Sequence, residues 1–343
     1  MRKLLNVLYV NTEDAYATLD GENVVIKIGD DIKGRFPLHI LEGICIFSYA
    51  GASPSLIGKC HEKNIDLVFC KPSGYFLSRP SGRTSGNVLL RREQYRIADS
   101  DERRNNVSKN FILGKVMNEK HVLDRVKRDH ADRVDIDEFQ DSSSLLKGML
   151  SNIVNAVDND SLRGIEGAAA TIYFGKFDQM ILRNKDTFFY HGRNRRPPLD
   201  NVNSLLSYVY MMLTSMCSSA LETVGLDPYV GFMHTDRPGR VSLSLDLVEE
   251  LRPVLGDRFV LSLINNGIVN SGDFQVQENG SVLITEDGRK KIQQSWQKRK
   301  QEKIEHPFLK EKIEWGLVPY TQAMLLARYI RGDIDAYPPF IWR

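Results

Sequence analysis

The stretch PSGRTSGN (80–87) decides how this 343-residue chain is read, because the hydrophobic period changes across it. Upstream, short apolar or alternating runs at 5–10, 16–19, 23–28, 43–47, 65–69 and 75–77 read as β-strands. Asp20-Gly21, Gly29-Asp30 and Pro72-Ser73-Gly74 supply the turns between them. One helix interrupts the strands: Ser53-Pro54 is a cap with a first-turn proline, and Leu56, Ile57 and Cys60 form an apolar face up to His61. Downstream the pattern is helical. Residues 88–124 carry Leu89, Tyr95, Ile97, Phe111, Ile112 and Val116 among many charges, and Asp141-Ser142-Ser143-Ser144 marks a break expected to cap a helix over 145–157. A helix over 161–180 is expected to start at Ser161, with Leu162, Ile165, Ala169, Ile172, Tyr173 and Phe177 on its apolar face. The next helix, 202–223, ends at Gly225. A short helix over 243–252 opens at Ser242 or Ser244, and a last one spans 323–330. The fold class is therefore α+β: a small β-rich domain over 1–87, followed by a larger helical domain over 88–343.

Composition narrows the class without naming a partner. Hydrophobic residues make up 42% and charged residues 26%, an ordinary globular balance, and a net charge of +2 means that any basic surface must come from local clustering. The cysteines, Cys45, Cys60, Cys70 and Cys217, form no CxxC pair and read as buried thiols in a reducing compartment. MRKLLNVLYV (1–10) reads as a first strand rather than a signal peptide. The apolar stretch 205–221 contains Ser207, Ser215, Ser218 and Ser219 and reads as a core helix. No membrane segment is expected, and the protein is expected to be cytoplasmic.

Three fragments place an acid or an imidazole where the pattern is otherwise apolar or glycine-rich. In RGIEGAAA (163–170), small residues surround Glu166 and open the helix to close approach. Glycine costs about 1 kcal/mol in a helix interior, so two of them call for a compensating reason. In DPYVGFMH (227–234), a rigid loop ends at His234. In SLSLDLVEE (242–250), Asp246 and Glu249 share a helix face. Inward-facing carboxylates among leucines are costly unless a cation is present. Each has a plain alternative: a solvent-facing glutamate, a hydrogen-bonded histidine, an acidic first turn favoured by the helix dipole. Together, two carboxylates and one imidazole suit Mg²⁺ or Mn²⁺ at a phosphate, the imidazole favouring Mn²⁺, with Zn²⁺ also compatible.

LRGIEGAAATIYF (162–174), RNRRPPLDNVNSLLSYVYMML (193–213) and VGLDPYVGFMHTDRPGRVSLSLDLVEELRP (224–253) occur in an order that resembles the CRISPR-associated integrase and endonuclease family, the first core protein of spacer acquisition. SPSLIGKCHEKNIDLVFCKPSGYF (53–76) resembles it more weakly. The resemblance implies a β-sandwich-like N-terminal domain, a helical catalytic domain and a homodimer. It also implies a metal held by Glu166, His234 and Glu249, with Asp246 assisting; relatives often place aspartate where Glu249 stands. The implied reaction is attack of a 3′-hydroxyl of captured double-stranded DNA on a phosphodiester of the CRISPR repeat, or hydrolysis when water attacks. The implied partner is the second core acquisition protein, bridging two dimers.

Local charge suggests where DNA would lie. Arg193, Arg195 and Arg196 make a basic, turn-rich approach, with Asn203 nearby, and Arg237 and Arg240 follow His234. Residues 289–312 hold nine Lys or Arg against three acids, among them Lys290, Lys291, Lys298 and Arg299. Trp296 and glutamines such as Gln293 are expected to stack on or hydrogen-bond the nucleic acid there.

Overall fold

The computed structural model describes residues 6–12, 14–71, 76–80 and 88–342. The chain opens with β1 (Val7–Val10), β2 (Tyr16–Asp20), β3 (Asn23–Ile28), β4 (Asp31–Pro37) and β5 (Gly43–Ile46), then α1 (Pro54–Glu62), β6 (Asp66–Cys70) and β7 (Phe76–Ser78). Helices follow: α2 (Val88–Ala98), α3 (Asp101–Asp129), α4 (Ile136–Asn155), α5 (Asn159–Phe174), α6 (Asn201–Val224), α7 (Ser242–Leu251) and α8 (Arg258–Asn265). A π-helical turn, Arg252–Asp257, joins the last two. Then come the hairpin β8 (Phe274–Val276) and β9 (Val282–Ile284), α9 (Glu286–Gln301), the hairpin β10 (Lys303–Glu305) and β11 (Lys312–Glu314), and α10 (Val318–Arg331). Leu5, Tyr75, the 72–74 turn and residues 81–87 of the dividing loop lie outside the described residues.

Two compact units result, Met1–Ser85 with Val269–Glu302, and Gly86–Ile268 with Lys303–Arg343. The first differs from a plain 1–87 domain: α9 returns to it from late in the chain, with Gln293 and Asn11 exchanging hydrogen bonds of 2.8 and 3.2 Å. Strands β2, β3 and β4 form an antiparallel sheet. A second sheet has the order β1-β5-β6-β7, parallel except at its β6/β7 edge. Both sheets contribute to one core, Val24 and Ile26 from the first and Ile44, Ile46 and Leu67 from the second, with Leu56 and Cys60 of α1. That core accounts for the sandwich-like character. As expected, Ser53 caps α1, its Oγ accepting from the Leu56 backbone 3.2 Å away, with Pro54 in the first turn.

The second unit is helical apart from the β10–β11 hairpin. Helix α3 packs on α4, α5 and α7, and α6 on α7 and α10. Val107, Phe111, Val116 and Val122 line the buried side of α3, each such burial contributing about 1.5–3 kcal/mol. Three caps differ from expectation. Helix α4 starts at Asp135 and runs through 141–144, because Ser142 and Ser143 are buried, and Ser143 Oγ donates to Asp124 over 2.6 Å instead of capping. Asp158, not Ser161, caps α5, which ends at Phe174. No side chain caps α7; Ser242 Oγ donates to the Thr235 carbonyl. Helix α6 stops at Gly225 in the left-handed conformation (φ 87°), as its sequence predicts. By length and composition α6 could cross a membrane, but most of it is buried inside this unit. All four cysteines are buried and free.

Candidate active site

Helices α3, α5 and α7 bring charge together. Gly114 of α3 lies so close to α7 that a Cβ there would stand 3.0 Å from Glu250 Cβ, and this contact seats the next residue, Lys115, beside Glu249. Lys115 is 1% exposed, and its ammonium pairs with Glu166 Oε1 of α5 and, at 2.7 Å, with Glu249 Oε2 of α7. Arg252 Nη1 reaches both Glu249 oxygens at 3.2 and 3.3 Å, and its guanidinium stacks over Tyr210, 4.5 Å from the ring centre. Burial works against the Glu249 charge, but Lys115, Arg252 and His234 outweigh it and hold the carboxyl well below its usual range. Burial likewise pulls Lys115 down, and Glu249 and Glu119 more than reverse it, so the ammonium stays charged.

His234 is carried by the 227–234 loop, within electrostatic reach of Glu249. Gly231 has no room for a side chain, since a Cβ would meet the His234 carbonyl and Ser242 Cβ at 2.8 Å. Asn159 Nδ2 and Arg163 Nη2, both of α5, donate to the carbonyls of Phe232 (2.7 Å) and Met233 (3.2 Å) and tie the loop to the helix bearing Glu166. Asp246 is fully buried. Its Oδ2 accepts from the Phe232 and Met233 backbones at 2.6 and 3.0 Å, and its Oδ1 from the His234 backbone at 2.9 Å and from His234 Nδ1 at 2.7 Å. A carboxylate can only accept here, so Nδ1 carries a proton and Nε2 is left as the imidazole's free donor atom. Asp246 is thus wholly engaged in shaping the loop and orienting the histidine.

Among the described residues no three His, Cys, Asp or Glu side chains form a group that could hold a metal ion. The donor types nevertheless suit a hard divalent ion: two carboxylates converge on a single positive charge, and one imidazole presents Nε2. Beneath them lies a buried layer that the sequence reading missed. Burial pushes Glu119 up to about 8 and Asp257 to about 6, the latter against Arg252 and the Tyr210 and Tyr173 hydroxyls. Lys115 was legible in principle: it sits four residues after Phe111 and seven before Val122, on the apolar stripe of α3.

The arginines divide by location. Arg193 is absorbed by the fold, donating to Asn203 Oδ1 (2.6 Å), the Asn194 carbonyl (2.7 Å) and Ser207 Oγ (3.0 Å), so it and Asn203 fasten the loop to α6. Arg195, Arg196 and Arg237 are exposed, and Arg240 is half-buried close to Arg237, Arg163 and Asp246. In α9 the expected stacking is overturned: Trp296 is 1% exposed in the core and Gln293 is engaged with Asn11. Lys290 pairs with Glu286 at 2.9 Å, Lys291 with Asp273 at 2.7 Å and Arg299 with Glu302 at 2.6 Å. Lys298 is exposed.

A β-rich sheet unit and a larger helical unit define an α+β protein. Residues 8–298 match the family model described as CRISPR associated protein Cas1. The chain is 47% identical over 343 residues, all of both chains, to CRISPR-associated endonuclease Cas1 1 of Chlorobaculum tepidum. Its fold is similar to that of a casposase bound to integration product (TM-score 0.84, 24% identity, 98% of this chain and 94% of that one). It is also similar to a chain of a Cas6-RT-Cas1–Cas2 complex (TM-score 0.81, 22% identity, 98% of this chain and 36% of that longer one). This chain belongs to the CRISPR-associated Cas1 family.

Proposed function

We propose that this protein is a metal-dependent DNA endonuclease and integrase that inserts captured double-stranded fragments into a CRISPR array, a fragment 3′-hydroxyl attacking a repeat phosphodiester. The observation that carries the reading is the convergence of Glu166 and Glu249 on one cation, beside a histidine whose free nitrogen is fixed by Asp246. Glu166, Glu249 and His234 Nε2 would hold Mg²⁺ or Mn²⁺, which when bound supplies charge neutralisation at the phosphate and lowers the pKa of an attacking oxygen. The protein's own groups do the rest. Asp246 keeps the imidazole in one tautomer, and Arg252 aligns Glu249. Gly164 and Gly167 have open space around them, leaving the outer face of α5 bare for a DNA backbone to approach Glu166. Arg237 and Arg240 attract phosphate beside His234, Arg195 and Arg196 do so on their loop, and Lys290, Lys291, Lys298 and Arg299 form a weaker attraction because three of the four are already paired with acids. Family membership supports a homodimer working with the second core acquisition protein.

A second reading, a DNA-binding assembly protein with structural carboxylates, draws on the Lys115 ion pairs. Strand transfer of a 3′-hydroxyl duplex into a repeat-containing plasmid, with the partner supplied and metal varied, separates them. Glu166→Ala, His234→Ala and Glu249→Ala should each lose at least about 100-fold in rate with folding retained. Undiminished transfer by all three would establish the structural reading.

A further inference from the structure

Lys115 occupies the place that the metal-site reading gives to a metal ion. Its ammonium touches one oxygen of Glu166 and one of Glu249, and the side chain is 1% exposed. A divalent ion bound to the same carboxylates at about 2.0–2.6 Å would meet the ammonium at contact range, two cations competing for one pair of oxygens. A lysine is built to yield in such a contest, since its charge is a point on a flexible four-carbon stem. One helical turn along α3 stands Glu119, itself 1% exposed, with an Oε2 that has no hydrogen-bond partner. Residues four apart on a helix share a face, so the Lys115 stem can carry its ammonium to Glu119 without moving the backbone. A buried carboxyl oxygen lacking a donor is costly unless something fills the vacancy.

We propose, on the footing of the metal-site reading, that Lys115 is a built-in cation that holds Glu166 and Glu249 together in the metal-free protein and withdraws to Glu119 when a divalent ion binds. Lys115 is a positioning residue in this scheme. It keeps two carboxylates from repelling each other before loading, and it sets the metal affinity by competing for the site. Glu119 is the harbour that makes the exchange reversible, returning the ammonium when the metal leaves.

The test is Mn²⁺ titration by calorimetry, with thermal melts in the presence and absence of Mn²⁺, on the full-length wild type, Lys115→Met, Lys115→Gln, Glu119→Gln and Glu166→Gln. Both Lys115 variants should bind Mn²⁺ at least about tenfold tighter than wild type, melt lower without metal, and gain more in Tm at saturating Mn²⁺. Glu119→Gln should bind Mn²⁺ several-fold more weakly, because an amide cannot ionise to pair with the displaced ammonium as the carboxyl can. The glutamine at 115 keeps amide donors for the carboxylates and serves where the methionine variant does not fold. Equal or weaker Mn²⁺ binding by the Lys115 variants, with Glu166→Gln losing it, overturns the proposal and leaves the metal site standing. Wild-type affinity in Glu119→Gln overturns the withdrawal to Glu119. Glu166→Gln binding Mn²⁺ as well as wild type overturns the metal-site reading and the proposal together.

Discussion

Helix α9 and the junction of α3, α5 and α7 are both dense in charge, and they use it in opposite ways. In α9 the outward cations are matched locally: Lys290 to Glu286 and Arg299 to Glu302, four and three residues away, with Lys291 matched to Asp273. The inward face of the same helix holds Ile292, Trp296 and the stem of Lys300 in the core. At the junction, charges face inward and are matched across the fold, with Lys115 separated from Glu166 by 51 residues in sequence. Exposed local pairs contribute about 0–1 kcal/mol each and are easily exchanged for water or phosphate. A buried cluster gathered from three helices is different, because each member is costly alone and is tolerated only with the others in place. Density of charge in a sequence therefore says little about chemistry; the cost of the charge says more.

The contrast can be broken first at Trp296. Trp296→Ala should cost about 3–5 kcal/mol of stability, seen as a lower denaturant midpoint, while the duplex affinity of the folded fraction stays at the wild-type value. A large loss of affinity with unchanged stability would return Trp296 to the DNA surface. On the other side of the comparison, Asp246→Asn should weaken Mn²⁺ binding about 10- to 100-fold, the usual consequence of disturbing a group that orients a ligating imidazole. A Mn²⁺ titration reads this directly, and wild-type affinity would mean that the His234 ring is held by something else.

A smaller effect distinguishes buried from exposed charge through pH. Burial raises Glu119 from an ordinary 4.5 to about 8, so the folded protein holds that proton more tightly than the unfolded chain does. The stability linked to it is fully present below 4.5 and is lost as pH climbs toward 8. Glu119→Gln should therefore melt higher than wild type at pH 8, with the difference closing by pH 5. Melting curves that stay parallel across this range would remove Glu119 from the titrating set. The smallest effect concerns DNA. Arg237→Ala and Arg240→Ala should each lower the slope of log affinity against log salt by about 1, whereas Lys298→Ala in α9 should change it less. Equal slopes for all three would place the two regions on the same footing.

The strand-to-helix change, the capped start of α1 and the Gly225 stop were legible in the sequence, because periodicity and local capping act over a few residues. The caps of α4 and α5 were not, since Ser142, Ser143 and Ser161 have the right chemistry and only packing shows that Asp135 and Asp158 do the capping. Glu166, His234, Asp246 and Glu249 stood out as polar groups in apolar or glycine-rich settings. Asp246 stood out for an incomplete reason: its task is to receive three backbone N–H groups and the His234 ring, which no spacing rule reveals.

By itself, then, the sequence determined the α+β class and the family and singled out Glu166, His234, Asp246 and Glu249 as candidates, because short-range pattern and motif order carry that information. Tertiary structure alone decided that Val269–Glu302 joins the N-terminal unit, that Arg193 and Trp296 serve the fold, and that Lys115 stands between Glu166 and Glu249. The physical reason is common to all three. Whether a charge or a ring is available for function depends on what surrounds it in space, and its neighbours there come from distant parts of the chain.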